Sequence, residues 1–239
     1  MIGRGHGLAL LAAVSGAATT LAAQASELSY TYVDFQAVST TGEESGAKVP
    51  VPGQTVRVLT EDGDGVSIGG SVAVGSRFFV RGRFETSVID VNAVVTNPFG
   101  VSTAADNFDL IRSRLAFGYY REIQENFDLM VELSLDSTEY DFGSFAGESF
   151  DMRDDGAGAR VGFRWNPRLP LEVSGYAHYS AVGQADLTTG VFDADTTMGV
   201  GVMWYFFRDL GIGVDYSNAQ EGSVAFSMRF SFGDLGLER

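Results

Sequence analysis

The chain of 239 residues contains no cysteine, which excludes disulfides, thiolate catalysis, cysteine-ligated zinc and a lipid-modified amino-terminal cysteine. Lysine is nearly absent: Lys48 stands alone against 18 phenylalanines, 9 tyrosines and 30 glycines, and there are only 5 prolines. Helical proteins use lysine freely on exposed faces, so this imbalance points to strands and turns. Positive charge is scarce too. With 16 Lys and Arg against 31 Asp and Glu, the formal net charge of −15 opposes binding to bare nucleic acid or to an anionic inner-leaflet surface, and no basic patch reverses it. After residue 25 nothing approaches the roughly 18 consecutive apolar residues of a spanning helix, which excludes a helical membrane protein. Walker and zinc signatures are missing, and Gly156-x-Gly158 and Gly211-x-Gly213 lack the third glycine of a dinucleotide fingerprint, so no cofactor is expected.

The amino terminus is different in kind. Arg4 gives a positive start, Leu8 to Val14 form a short apolar run, and Ala23-Gln24-Ala25 places small residues where a signal peptidase reads. Residues 1–25 are therefore expected to be a secretory signal peptide and residues 26–239 one domain, without a following peptidoglycan-binding domain.

In the remainder, apolar and polar residues alternate with period two in segments of about ten residues. The expected strands are 28–38, 65–74, 78–88, 109–120, 127–139, 156–165, 171–182, 197–206, 210–218 and 223–232. Short connectors (75–77, 121–126, 166–170, 207–209) alternate with long ones (39–64, 89–108, 140–155, 183–196), until the tight turn at 219–222. Turns at one end and loops at the other are the signature of an up-and-down barrel. The fold class expected is all-β, a transmembrane antiparallel β-barrel of about 10 strands, with 8 as the alternative; a secreted soluble β-sandwich binding protein remains a further reading.

Alternation is explicit on 223–232, where Val224, Phe226, Met228, Phe230 and Phe232 oppose Ala225, Ser227, Arg229 and Ser231. Aromatics gather at the strand ends beside the short turns (Phe78, Tyr119, Phe127, Trp165, Trp204, Phe206, Phe230, Phe232), with a sparser set near the long loops (Phe84, Tyr179, Tyr216). Two such bands are what membrane interfaces select. The closing strand V-A-F-S-M-R-F-S-F resembles the final strand of bacterial outer-membrane barrels, although Gly233 to Arg239 follow its terminal aromatic. The whole segment after residue 25 resembles the small outer-membrane barrels of the OmpA/OmpX kind. That resemblance implies a Gram-negative outer-membrane location, lipopolysaccharide and outer-membrane lipids as surroundings, barrel-assembly machinery as inserting partner, and an extracellular ligand for the long loops. The function it implies is non-enzymatic: structural, surface-exposed or narrow and porin-like.

The inward face carries Arg81, Arg83, Arg112, Arg114, Arg160, Arg164 and Arg229 with Glu85, Asp128, Glu132, Asp136, Glu172 and Asp215. One reading is a lumen filled by ion pairs. The other is a narrow conducting path with arginine on one wall and carboxylates on another. Arginine at every basic position favours fixed, bidentate pairing.

His178 and Ser180 share a face, and with a carboxylate (Glu172 or Asp186) they look like the pair of the outer-membrane lipid A deacylases, making a membrane hydrolase the rival function. Those enzymes commonly have Asn after the Ser where this chain has Ala181, and their pair faces lipid, whereas the phase here turns both residues inward. A protease of the omptin barrel type is disfavoured, since no second Asp cluster accompanies the histidine. The acidic stretches Glu61 to Gly65, Asp151 to Asp155 and Asp193 to Asp195 are expected to be solvated loops; D-G-D-G lacks the later ligands of an EF-hand, and no metal site is expected.

Overall fold

Segments that alternate strictly between apolar and polar residues can satisfy two environments only as strands with two unlike faces. The computed structural model describes residues 28–41, 47–51, 54–97, 99–145, 148–168, 170–183, 185–186, 191–218 and 222–232. The candidate signal peptide therefore lies outside the described residues. Ten strands form the body: β1 (Tyr32–Thr40), β2 (Gln54–Val74), β3 (Phe78–Asn97), β4 (Gly100–Gln124), β5 (Phe127–Phe145), β6 (Glu148–Arg168), β7 (Leu171–Ser180), β8 (Asp195–Phe207), β9 (Leu210–Ser217) and β10 (Ser223–Ser231). Among the described residues there is no helix.

Each strand pairs antiparallel with the next, and β1 pairs on both sides, Val33 lying opposite Gly70 of β2 and opposite Phe230 of β10. The sheet therefore closes on itself as a ten-stranded up-and-down barrel. Closure overturns both the eight-strand alternative and the two-layer sandwich, whose sheets keep free edges. Following partner residues once round the ring shifts the register by roughly 12 residues, a stagger that tilts the strands by about 40° to the axis.

The turns gather at one end. Gly75 and Asn126 supply the left-handed backbone these short connections need, at φ of 69° and 62°. At the other end the structure departs from the sequence expectation. Segments 54–64, 89–108 and 140–155 are largely strand, because β-branched residues such as Val91, Val94, Val95, Val101 and Thr103 carry the β3–β4 ladder up to Asn97 opposite Gly100. Strands β2 to β6 run 19 to 25 residues, against 8 to 10 for β1, β7, β9 and β10. About 9–11 tilted residues cross a hydrocarbon layer, so one half of the wall stands far above the other. The acidic stretches 61–65 and 151–155 lie on these strands and not in loops; Asp193 stays in the β7–β8 connection and Asp195 opens β8. A short strand, Ala47–Val51, pairs with the outer part of β2, and Ala185–Asp186 pairs with Val191–Phe192 within the β7–β8 connection.

The first strand also begins later than expected, at Tyr32. Residues 28–31 turn inward instead: Ser29 Oγ donates to the Phe232 carbonyl at 3.1 Å, and the Arg164 guanidinium donates to the Ser29 carbonyl at 2.7 Å.

Candidate functional site

The outer face is an apolar band. On β5 the side chains of Leu129, Val131, Leu133 and Leu135 are exposed, Leu133 and Leu135 at 67% and 69%, while Asp128, Met130, Glu132, Ser134 and Asp136 between them are buried. The same inversion holds on β8 and β9, with Met198, Val200, Val202, Trp204 and Phe206 outside and Gly199, Gly201, Met203 and Tyr205 inside. Water-soluble proteins rarely expose contiguous apolar surface beyond a few hundred Å²; here such surface encircles the ring. Of the turn-end aromatics, Phe78, Trp165, Trp204, Phe206, Phe230 and Phe232 are exposed, and Tyr119 and Phe127 partly so. Cross-strand packing joins some of them, Phe78 to Tyr119 at 5.4 Å and Phe127 to Phe163 at 5.8 Å between ring centroids.

All thirteen charged residues assigned to the inner face are turned inward, buried or half-buried. They do not form two walls. Carboxylates on β1, β3, β5, β7 and β9 are interspersed with arginines on β3, β4, β6 and β10.

Toward the turn end these groups are closed on one another. Glu172 accepts two hydrogen bonds from Arg164, at 3.0 and 2.8 Å, one from Arg229 at 3.1 Å and one from Tyr205 at 3.0 Å. Arg81 reaches past β4, whose inward residue here is Ala116, to Glu132 at 2.6 Å. Below them lies an aromatic stopper. Tyr30 stacks on Tyr120 at 3.8 Å, packs against Phe79 and donates to Asp128 at 2.9 Å, with Met130 completing the cluster. Phe79 lies across Gly118, its partner on β4, where a Cβ would collide with the ring.

Toward the loop end the lumen is looser. Arg114 meets Asp136 at 2.8 Å, Arg83 meets Gln36 at 2.7 Å and Asp34 at 3.2 Å, and Arg112 approaches Glu85 only at 3.8 Å. Asp215 accepts from Ser227 at 3.2 Å. Arginine side-chain exposure reports the change: 4% to 13% for Arg81, Arg164 and Arg229, but 27% to 34% for Arg83, Arg112 and Arg114. A cavity of about 210 Å³ opens here, lined among others by Arg112, Arg114, Arg160, Tyr176, His178 and Thr197, and reaches down to Arg164 and Glu172. Ten strands leave more room than the eight that side chains just fill, and a volume of this size is large enough for water.

His178 and Ser180 are both buried inside the ring. His178 Nε2 lies 3.0 Å from Asp136 Oδ2, while the Ser180 hydroxyl donates to the Val182 carbonyl at 2.8 Å. The hydroxyl is thus directed at backbone, and neither residue lies on the apolar outer face. Among the described residues no cluster of three or more His, Asp or Glu has the arrangement of a metal site.

Three lumen residues escaped the sequence reading. Asp34, 1% exposed, joins Arg83 to Arg229, which stands 3.9 Å away; Gln36 bonds Arg83; and Tyr30 forms the stopper. The signal for Asp34 and Gln36 was present in the alternation with Val33, Phe35 and Ala37, but Tyr32 on the inward face obscured its phase.

No family model and no curated protein matches the chain in sequence. Several solved structures resemble it. The translocator domain of the autotransporter NalP from Neisseria meningitidis is 14% identical with a TM-score of 0.47, covering 84% of this chain and 88% of that one. The β domain of the Bordetella autotransporter BrkA is 11% identical at 0.46, covering 84% and 98%. The outer-membrane protein OprG from Pseudomonas aeruginosa is 9% identical at 0.43, covering 85% and 97%. At such values the barrel assignment rests on the closed hydrogen-bond register of this chain itself.

Proposed function

We propose that the protein is an integral outer-membrane barrel without enzymatic activity, exported by its amino-terminal signal, that presents its tall hairpins and a polar vestibule to the outside. The observation that carries this is the apolar band around a closed ring whose lumen holds a set of inward-facing charges. Strands satisfy every backbone hydrogen bond only when the sheet closes, which is why a barrel can cross lipid. Lipopolysaccharide and outer-membrane lipids would meet the band, barrel-assembly machinery would insert it, and an extracellular partner would meet the hairpins.

The test is the electrophoretic mobility of unboiled and boiled detergent samples, with fractionation of the producing cells. A heat-dependent shift and recovery in the outer-membrane fraction are expected; no shift with recovery in the soluble periplasm would overturn the assignment.

A narrow pore is the second reading, favoured by the cavity. It predicts steady single-channel conductance of the wild-type protein in planar bilayers, whereas a stoppered vestibule predicts none. The hydrolase reading is disfavoured by the inward burial of His178 and Ser180 and by the bond from Ser180 to the Val182 carbonyl. Lipid A acylation is expected to be the same with wild type and Ser180→Ala; a difference would restore that reading.

A further inference from the structure

Every arginine of the lumen has a carboxylate within 4 Å among the described residues, except Arg160. One ladder neighbour is acidic, since Arg160 lies opposite Glu132 on β5. The acids nearby are already engaged. Glu132 takes Arg81 at 2.6 Å, and Asp136 takes Arg114 at 2.8 Å together with His178 at 3.0 Å. Arg160 turns instead onto the Tyr176 ring, its guanidinium carbon 3.6 Å from the centroid. Its Nε is buried and has no hydrogen-bond partner, and neither has Nδ1 of His178, the residue opposite Arg160 on β7. Gly199 gives the tyrosine its place, because a Cβ there would meet the Tyr176 ring and hydroxyl at 2.5 to 2.7 Å.

A guanidinium fixed flat on an aromatic face keeps its N–H edge free and pre-aimed, the geometry that receives a planar or tetrahedral oxyanion through two parallel hydrogen bonds. Leaving a buried cation without a counter-ion is costly, and an incoming anion removes that cost. Arg112 and Arg114 line the same cavity from β4, the former held only loosely by Glu85. We propose that this vestibule binds a small solute carrying a carboxylate or phosphate group, with Arg160 as the anchoring residue, Tyr176 positioning it, and Arg114 and Arg112 assisting.

Size limits the solute. About 210 Å³ is below the 300–1,000 Å³ of drug-sized pockets, which admits a sugar acid, a sugar phosphate or a small polycarboxylate but not a folded chain. The acidic surface of the molecule opposes entry of an anion, but that field decays over about 8 Å at physiological salt, so the local charge at Arg160 prevails inside.

The proposal stands on the lumen and not on the location of the barrel, so the two fail separately. Full-length protein folded in detergent, verified by its heat-dependent mobility shift, is titrated calorimetrically with inorganic phosphate, citrate and glucuronate, with glucose as the uncharged control. At least one anion is expected to bind and glucose is not; phosphate with citrate or glucuronate separates a phosphate from a carboxylate preference. Arg160→Gln is expected to weaken binding by about tenfold or more, the worth of a charge-assisted hydrogen bond, and Tyr176→Leu to weaken it less. Arg121→Gln, on the exposed turn-end face, is expected to leave affinity unchanged. The idea is overturned if the folded protein binds none of the three anions at millimolar concentration, or if a correctly folded Arg160→Gln protein binds as the wild type does. If Arg160→Gln loses the heat-dependent shift, Arg160→Lys, which keeps the charge but not the fork, serves in its place; wild-type affinity in that variant counts against the proposal.

Discussion

The two ends of the lumen are built from the same residue types and behave differently. At the turn end Glu172 is filled by Arg164, Arg229 and Tyr205 and an aromatic cluster seals the floor; at the loop end Arg83, Arg112 and Arg114 are two to eight times more exposed and Arg160 has no carboxylate within 4 Å. Composition therefore does not decide whether a charged lumen is a strut or a site. What decides is whether each charge finds its complement within the wall, because a saturated buried pair is inert toward solutes while an unsaturated one retains free energy for a ligand.

The largest effect expected from breaking this contrast is at Glu172. Glu172→Ala strands two buried guanidinium groups and a tyrosine hydroxyl, and should cost about 3–5 kcal/mol, read as a lower urea midpoint for loss of the compact, heat-resistant form. Gly118→Val drives a branched side chain into the Phe79 ring and should cost about 1–3 kcal/mol by overpacking the floor, visible in the same titration. Arg112→Gln at the loop end removes only a long, partly exposed pair and should cost less than about 1 kcal/mol. If Arg112→Gln proves as damaging as Glu172→Ala, the two ends do not differ in the way described.

The sequence carried the outward face of the barrel well, because a period of two leaves only two choices of face, and in segments such as 127–135 and 224–232 every outward residue is apolar. All ten strands were legible for the same reason. The height of the wall was not, since β-branched, polar hairpin extensions such as 89–108 read as loops when no apolar face marks them. Partnerships inside the lumen were illegible in a different way. Arg81 with Glu132 and Arg229 with Glu172 skip one or more strands, so their meeting depends on closure and curvature of the ring, which no local pattern encodes. Tyr30 lay within an expected strand, but its seat against Phe79 and Tyr120 exists only because residues 28–31 turn into the barrel.

Because the chain has no native cysteine, sidedness of the lumen can be measured directly. Thr197→Cys places one thiol in the loop-end vestibule and Ser71→Cys one on the inward face near the floor. Cells displaying each variant are treated with a membrane-impermeant maleimide. Labelling of Thr197→Cys and none of Ser71→Cys are the results expected of a vestibule open outward and closed at its turn end. Equal labelling of the two single variants, or labelling of Ser71→Cys alone, would contradict it.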